Sequence, residues 1–350
     1  FSDGEFVDVS LNGVALVAGT DYNTTTANTI AGLSAMSAND VVEVIVYDVF
    51  SVFSGDISGD LAVGGALAVT GDYSSTTAGT SNLRLGVNAG NSIASGGNYN
   101  TVIGDEAGTA ITTGDENTLV GYASGDALTT GGFNVAVGFE ALTTEDAHGN
   151  NVAIGYRALK TLNAGADGFN TSVGDHAGTS VTTGVQNTLI GGQAGDALTD
   201  ADFNVAVGRQ ALTADTLGSR SVAIGTYSLM TQNFTTATDA YNTAVGHHTG
   251  ANITTGTANT FVGGLAGDAT DDGTNNTAMG YLALSANCGN DNTAIGKASL
   301  QVATGGGNVA VGKDSGLSLT SGELNTFIGA SAGDGTDDGN DNVAIGHQAL

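Results

Sequence analysis

The chain of 350 residues has no proline, no tryptophan, one cysteine, and only seven lysines and arginines in total. Each shortage excludes something. Without proline, and without glycine at every third position, a collagen triple helix is ruled out. Cys288 is alone, so no intrachain disulfide can form. Aromatic residues make up 6% of the chain, too few to fill a broad globular core at normal density. No run nears the roughly 18 apolar residues of a membrane span. Thirty-five acids give a formal charge of −28, which argues against nucleic acid and anionic membranes as partners. Disorder is excluded from the opposite side, because 40% of the residues are hydrophobic and they recur on a schedule.

Glycine is what the chain has in excess, with 56 residues, and it is periodic. From Asn82 onward a pentapeptide returns sixteen times, usually as Asn, Thr or Val, a variable residue, Val or Ile, then Gly. Its glycines lie mostly 17 residues apart, as at Gly104, Gly121, Gly138 and Gly155. That period is too short for a helical pair or a propeller blade, and predicts one rung of a parallel β-solenoid or β-roll. A second period overlies the first. Two rungs carry a small residue followed by glycine (Ala107-Gly108, Ser124-Gly125), and the next two carry alanine followed by leucine (Ala141-Leu142, Ala158-Leu159). Glycine rungs mostly add an aliphatic residue seven places after the motif glycine, such as Ile111 and Leu128. Leucine rungs fill that slot with the leucine itself.

The pentapeptide predicts a short strand whose second and fourth residues share one face and whose third lies on the other. Its glycine suits a corner at positive φ, and Thr-Thr-Gly at 112–114 and 129–131 marks an opposite corner. The leading asparagines are Asn100, Asn117, Asn134, Asn151, Asn170, Asn187, Asn204, Asn242, Asn259, Asn276, Asn292, Asn308, Asn325 and Asn342. They either stack as a side-chain ladder or favour the turn before each strand. Sixteen rungs predict a rod of roughly 75 Å. The third strand position, with Ala136, Ala153, Ala206, Ala223, Ala294 and Ala310 and also Phe261 and Phe327, is expected to face outward. A parallel homotrimer would cover it.

Ser221-Val222-Ala223-Ile224-Gly225 and its asparagine-headed relatives resemble the repeats of trimeric autotransporter adhesin heads, which are trimeric β-rolls with shorter rungs. The Asn-Thr-Ala-Val-Gly spelling, with Gly280-Tyr281-Leu282-Ala283-Leu284, is similar to tail fibres of marine bacteriophages. The resemblance covers residues 81–350 and implies a virion-tail or extracellular fibre. Implied partners are other tail proteins and a host-surface glycan or protein, with no membrane insertion. An adhesin head is the alternative, and a glycan depolymerase spike a more distant one.

Residues 1–53 lack the repeat. Asn12-Gly13 between Phe6–Leu11 and Val14–Val17 signals a β-hairpin, and Val41–Phe50 reads as a mostly buried strand. Together they resemble a small β-sandwich module of phage tail fibres that spaces or attaches the shaft. Residues 54–80, with glycine corners between short strands, resemble an intertwined three-chain stalk leading into the array at 81–350. The chain opens at Phe1 and stops inside a repeat, as expected of a segment of something longer.

Candidate chemistry lies just after the motif glycine. Tyr122, Phe139, Tyr156, Arg157, Arg209, Tyr227, His247, Tyr281, Lys297 and Lys313 form a stripe in this register. Aromatics there can stack on sugars and cations can pair with acidic glycans. The other reading is a solvated or inter-subunit edge. His247-His248 offers imidazoles to a transition metal, or is ordinary surface. Asp271, Asp272, Asp337 and Asp338 are acidic turns that Ca²⁺ could accept, yet they lack the calcium-solenoid pattern. Cys288 has no catalytic partner at motif spacing. No matched carboxylate pair suggests a glycosidase, and Thr-Thr-Gly occurs in too few rungs for an ice-binding array. The expectation is therefore a binding and structural protein, not an enzyme.

Overall fold

The computed structural model describes residues 7–23, 30–46, 78–335 and 337–350. All regular secondary structure among them is β-strand. The chain divides into two compact units, Phe1–Thr70 and Gly71–Leu350.

In the first unit, β1 (Val7–Leu11) lies between β2 (Val14–Ala15) and β3 (Val42–Val46) in an antiparallel sheet. Asn12 and Gly13 both have positive φ, 47° and 79°, as the tight hairpin between β1 and β2 requires. Val7, Val9 and Tyr22 form a small core, and the Tyr22 hydroxyl donates to the Val7 carbonyl at 2.9 Å. In the expected strand 41–50, Val44 and Ile45 are exposed rather than buried. Residues 47–50 and most of the expected stalk, 54–77, lie outside the described residues.

The second unit is a parallel β-solenoid. Sixteen three-residue strands stack in a single sheet, each beside its equivalent one rung away. The register matches the repeat: Leu119 lies opposite Ala136, and Ala136 opposite Ala153. The longest rung adds a small ladder between Gly218–Ser219 and Thr238–Asp239.

The orientation of the strands corrects one expectation. Ala136, Ala153, Ala206, Ala223, Ala294, Ala310, Phe261 and Phe327 are all 0% exposed, inside the chain's own core. The outer face belongs instead to the second and fourth positions, where Ile154, Ile190, Ile224 and Ile328 are 37–40% exposed. A three-residue strand puts its middle side chain on one face and the two flanking ones on the other. The narrow interior accepts the single one, because its remaining volume is filled from beyond the corner.

That filling follows a four-rung rule. In leucine rungs the middle strand residue is alanine, and Leu142, Leu159, Leu212, Leu229, Leu284 and Leu300 are fully buried. In every second glycine rung the middle residue is large: Leu119, Leu189, Phe261 and Phe327. There the glycine makes room. A Cβ on Gly125 would come within 2.8 Å of Leu119, and one on Gly267 within 2.4 Å of Phe261. Large side chains thus alternate between two slots, which keeps each layer near constant volume.

Glycine and asparagine hold the rungs together. Each motif glycine from Gly86 to Gly329 has φ between 130° and 143° and sits against the next motif glycine. A Cβ on Gly191, for example, would meet the Gly208 carbonyl oxygen at 2.5 Å. The asparagine side chains are buried and bonded in series. Asn187 Oδ1 accepts from the Asn204 amide at 3.0 Å, while its Nδ2 donates to Asn170 Oδ1 at 3.2 Å and to the Ala201 carbonyl at 2.8 Å. Ser221 interrupts this column, and the longest rung repairs it. Gln232 Nε2 donates to Ser221 Oγ at 3.0 Å, and Gln232 Oε1 accepts from Asn242 Nδ2 at 2.9 Å.

Candidate functional site

The backbone beyond each motif glycine fixes how the candidate stripe is presented. The first residue after it is mostly exposed, and the second has left-handed φ, as at Arg157 (57°) and Tyr227 (61°). Neighbouring rungs therefore place equivalent side chains about 4.8 Å apart. Tyr122 stacks on Phe139 with centroids 5.2 Å apart, and Phe139 on Tyr156 at 5.4 Å. Tyr156 meets His176 edge-on at 5.1 Å. These four make one continuous aromatic ridge.

The cations are less free than the sequence suggests. The Arg157 guanidinium lies 4.9 Å from the centroid of the Tyr156 ring, and its Nε donates to Glu140 at 2.8 Å. Lys160 reaches the same carboxylate at 2.6 Å. The Lys160 bond, then Arg157, hold the Glu140 carboxyl below its ordinary range. Arg209 lies over the Tyr227 ring and donates to its hydroxyl, and Lys313 pairs with Asp314 at 2.9 Å. Tyr227 also contacts His247 and His248, whose rings are 4.5 Å apart. Tyr281 and Lys297 are exposed and lie outside these two clusters. The structure thus gathers the stripe into a Tyr122–His176 ridge and an Arg209–His248 group.

The acidic turns are engaged between rungs. Asp271 accepts from the Thr254 hydroxyl, and Asp337 from Thr320 at 2.7 Å. Asp272 and Asp338 are exposed. Among the described residues, the one group of three acid, histidine or cysteine ligands close enough to share an ion is Glu145, Asp146 and His148. Glu145 is fully buried, and its two oxygens accept the backbone amides of His148 and Ala164 at 3.0 Å each. Asp215, in the equivalent slot seven residues after its motif glycine, accepts the amides of Gly218 and Phe234 at 3.0 Å and Gln232 at 2.6 Å. Burial raises the Asp215 carboxyl. Both acids brace corner backbone. Cys288 is buried against the Thr270 hydroxyl at 3.3 Å, and burial raises its thiol.

Sequence reasoning missed a second column, the residue just before each asparagine. It too has left-handed φ, and in alternate rungs it holds Tyr99, Phe133, Phe169, Phe203 and Tyr241, all exposed. The available signal was the recurrence of Phe or Tyr immediately before asparagine every second rung. No protein-family model matches the chain, and no curated protein is significantly similar to it.

Proposed function

We propose that the chain is a segment of an extracellular fibre, in the manner of a phage tail fibre, that spans distance and contacts a host surface. The observation that carries this reading is the uninterrupted parallel sheet of sixteen strands, cross-bonded by its asparagines and decorated on its outside. Such a body is suited to reach and repeated contact rather than to a single reaction centre. The aromatic ridge and the Arg209 group are the proposed receptor contacts. The first unit, a three-stranded sheet, is proposed to belong to a small sandwich that spaces or attaches the shaft.

A parallel homotrimer remains the proposed assembly, on a revised argument. The alanines need no cover, but the outward Val, Ile and Met side chains do, with Met279 47% and Ile328 40% exposed. An apolar face repeated over sixteen rungs exceeds what monomers usually leave in water. No helix among the described residues is long and apolar enough to cross a membrane.

Sedimentation equilibrium with negative-stain imaging tests the reading by giving chain number and rod length together. Three chains in a shaft whose repeat region measures about 75 Å are expected. A strictly monomeric particle would remove the assembly. Host-cell binding unchanged by joint alanine substitution at Tyr156, Arg209 and Tyr281 would remove the proposed contacts.

A further inference from the structure

The column before the asparagines has a geometry of its own. Tyr99, Phe133, Phe169 and Tyr241 are 57–61% exposed, and Phe203 is 39% exposed. They occupy every second rung, so their rings recur about 9.6 Å apart, twice the strand spacing. Between them stand Glu116, Asn150, Gln186 and Arg220. Platforms and hydrogen-bonding groups therefore alternate along one edge of the sheet.

The column is rigid. The backbone amides of Tyr99, Phe133 and Phe203 each donate to a carbonyl of the preceding rung at 2.9–3.1 Å. All five aromatics hold φ between 48° and 61°. Bulky residues seldom adopt that conformation, which glycine or asparagine accepts at much lower strain. Asn150 and Asn275 do occupy the same register. Large rings standing where asparagine would be less strained, and left in water, are not explained by stability.

We infer that this edge binds an uncharged, extended β-1,4-linked polysaccharide. In such a chain each sugar is turned over relative to the last, so the same C–H-rich face returns every second sugar. That disaccharide repeat is comparable in length to two rungs. Electron-rich ring faces attract those C–H groups, while the intervening side chains meet the hydroxyls. The charge of −28 disfavours a polyanion. The aromatics stop at Tyr241, whereas the apolar outer face continues through the last rung. A subunit contact would follow the whole face, but a ligand footprint need not. Arg220 stands between Phe203 and Tyr241, 4.6 and 6.0 Å from their ring centroids, and is tied to Asp239 at 2.9 Å, so the uninterrupted stretch is Tyr99 to Phe203. With one sugar on each of its four rings and one over each of its three gaps, a heptasaccharide fills it. This inference does not rest on the fibre reading, since it needs only the solenoid edge.

The test is calorimetric titration of the full chain with cello-oligosaccharides from disaccharide to octasaccharide, beside malto-oligosaccharides of equal length. Affinity for the β-linked series should rise with length and level off near the heptasaccharide, with much weaker α-linked binding. The variant carries Phe133→Asn, Phe169→Asn and Phe203→Asn, which keep a residue that tolerates the backbone conformation. It should lose at least about tenfold in affinity with its circular dichroism and sedimentation unchanged. Leu324→Asn, in the same register but beyond the last ring of the column, should leave this binding intact. Absent binding by the wild-type chain, or equal binding of both linkages, would overturn the inference. So would dissociation of an oligomer by the triple variant, which would assign the edge to a second copy of the chain.

Discussion

Removing one rung of the asparagine column is the sharpest test of what holds the solenoid together. In Asn187→Ala, the Asn204 amide loses its acceptor and the Ala201 carbonyl loses its donor, both beside a fully buried side chain. Asn170 Oδ1 keeps the Asn187 backbone amide at 2.9 Å and is not stranded. Two buried groups without partners cost about 1–3 kcal/mol each, so the expected loss is about 2–6 kcal/mol. Because a solenoid is a linear array of rungs, the damage should concentrate at the neighbouring interfaces. Hydrogen exchange by mass spectrometry should then show faster exchange around residues 170–204, alongside a lower denaturation midpoint. Asn91→Ala is the control. Its exposed side chain donates to Asn88 at 3.5 Å and accepts from Ser92 at 3.3 Å, and its loss should cost under about 1 kcal/mol. If Asn187→Ala falls within about 0.5 kcal/mol of wild type, or the control costs as much, the column is not the source of cohesion.

Three further outcomes follow from the packing. Gly195→Leu would put a Cβ 2.8 Å from both Leu189 and Leu198 and should cost about 1–3 kcal/mol. Adding Leu189→Ala with Leu198→Ala should recover much of that loss, because Leu300 natively accompanies Ala294 and Ala303, and simple additivity of the changes would refute it. Gly191→Ala should lose at least about 2 kcal/mol from backbone strain and collision with Gly208, and a neutral result by chemical denaturation would contradict the glycine column. Burial raises the Asp215 carboxyl, so the fold holds that proton where the unfolded chain has released it. Its contribution to stability is complete below about pH 4 and is lost as pH rises through the folded value. Stability measured across that range should fall less in Asp215→Asn than in wild type, and parallel curves would count against the assignment.

The period, the corners and the four-rung alternation were legible because each is a spacing. Gly104, Gly121 and Gly138 announce the rung, and Leu142 against Gly125 announces the two ways of filling it. The direction of the strand was not legible from β-branched residues alone. Valine and isoleucine at the fourth position suggested an interior, yet a roll this narrow closes on the one middle side chain. The usable clue was substitution type. The second position exchanges Thr118 for Val135, a swap a wet face tolerates, while the third, after Arg84 in the first rung, ranges over Ala136, Leu119 and Phe261 without a charge. Nor could the repair at Ser221 be read in advance, since Gln232 is supplied by an excursion that looks irregular in the sequence. The second aromatic column is masked in the sequence because its register also holds Glu116, Asn150, Gln186 and Arg220, and so has the composition of an ordinary wet position.

The alternation of filled slots sets the unit in which such a molecule can change length. A single extra rung would break the order of two glycine rungs followed by two leucine rungs and give a layer a neighbour of the wrong kind. A block of four, such as residues 105–174, returns the stack to the same phase and presents the next layer with the neighbour it already expects. Duplication or loss of whole blocks is therefore the inexpensive route to a longer or shorter molecule, with reach adjusted in steps and the interior left as it was.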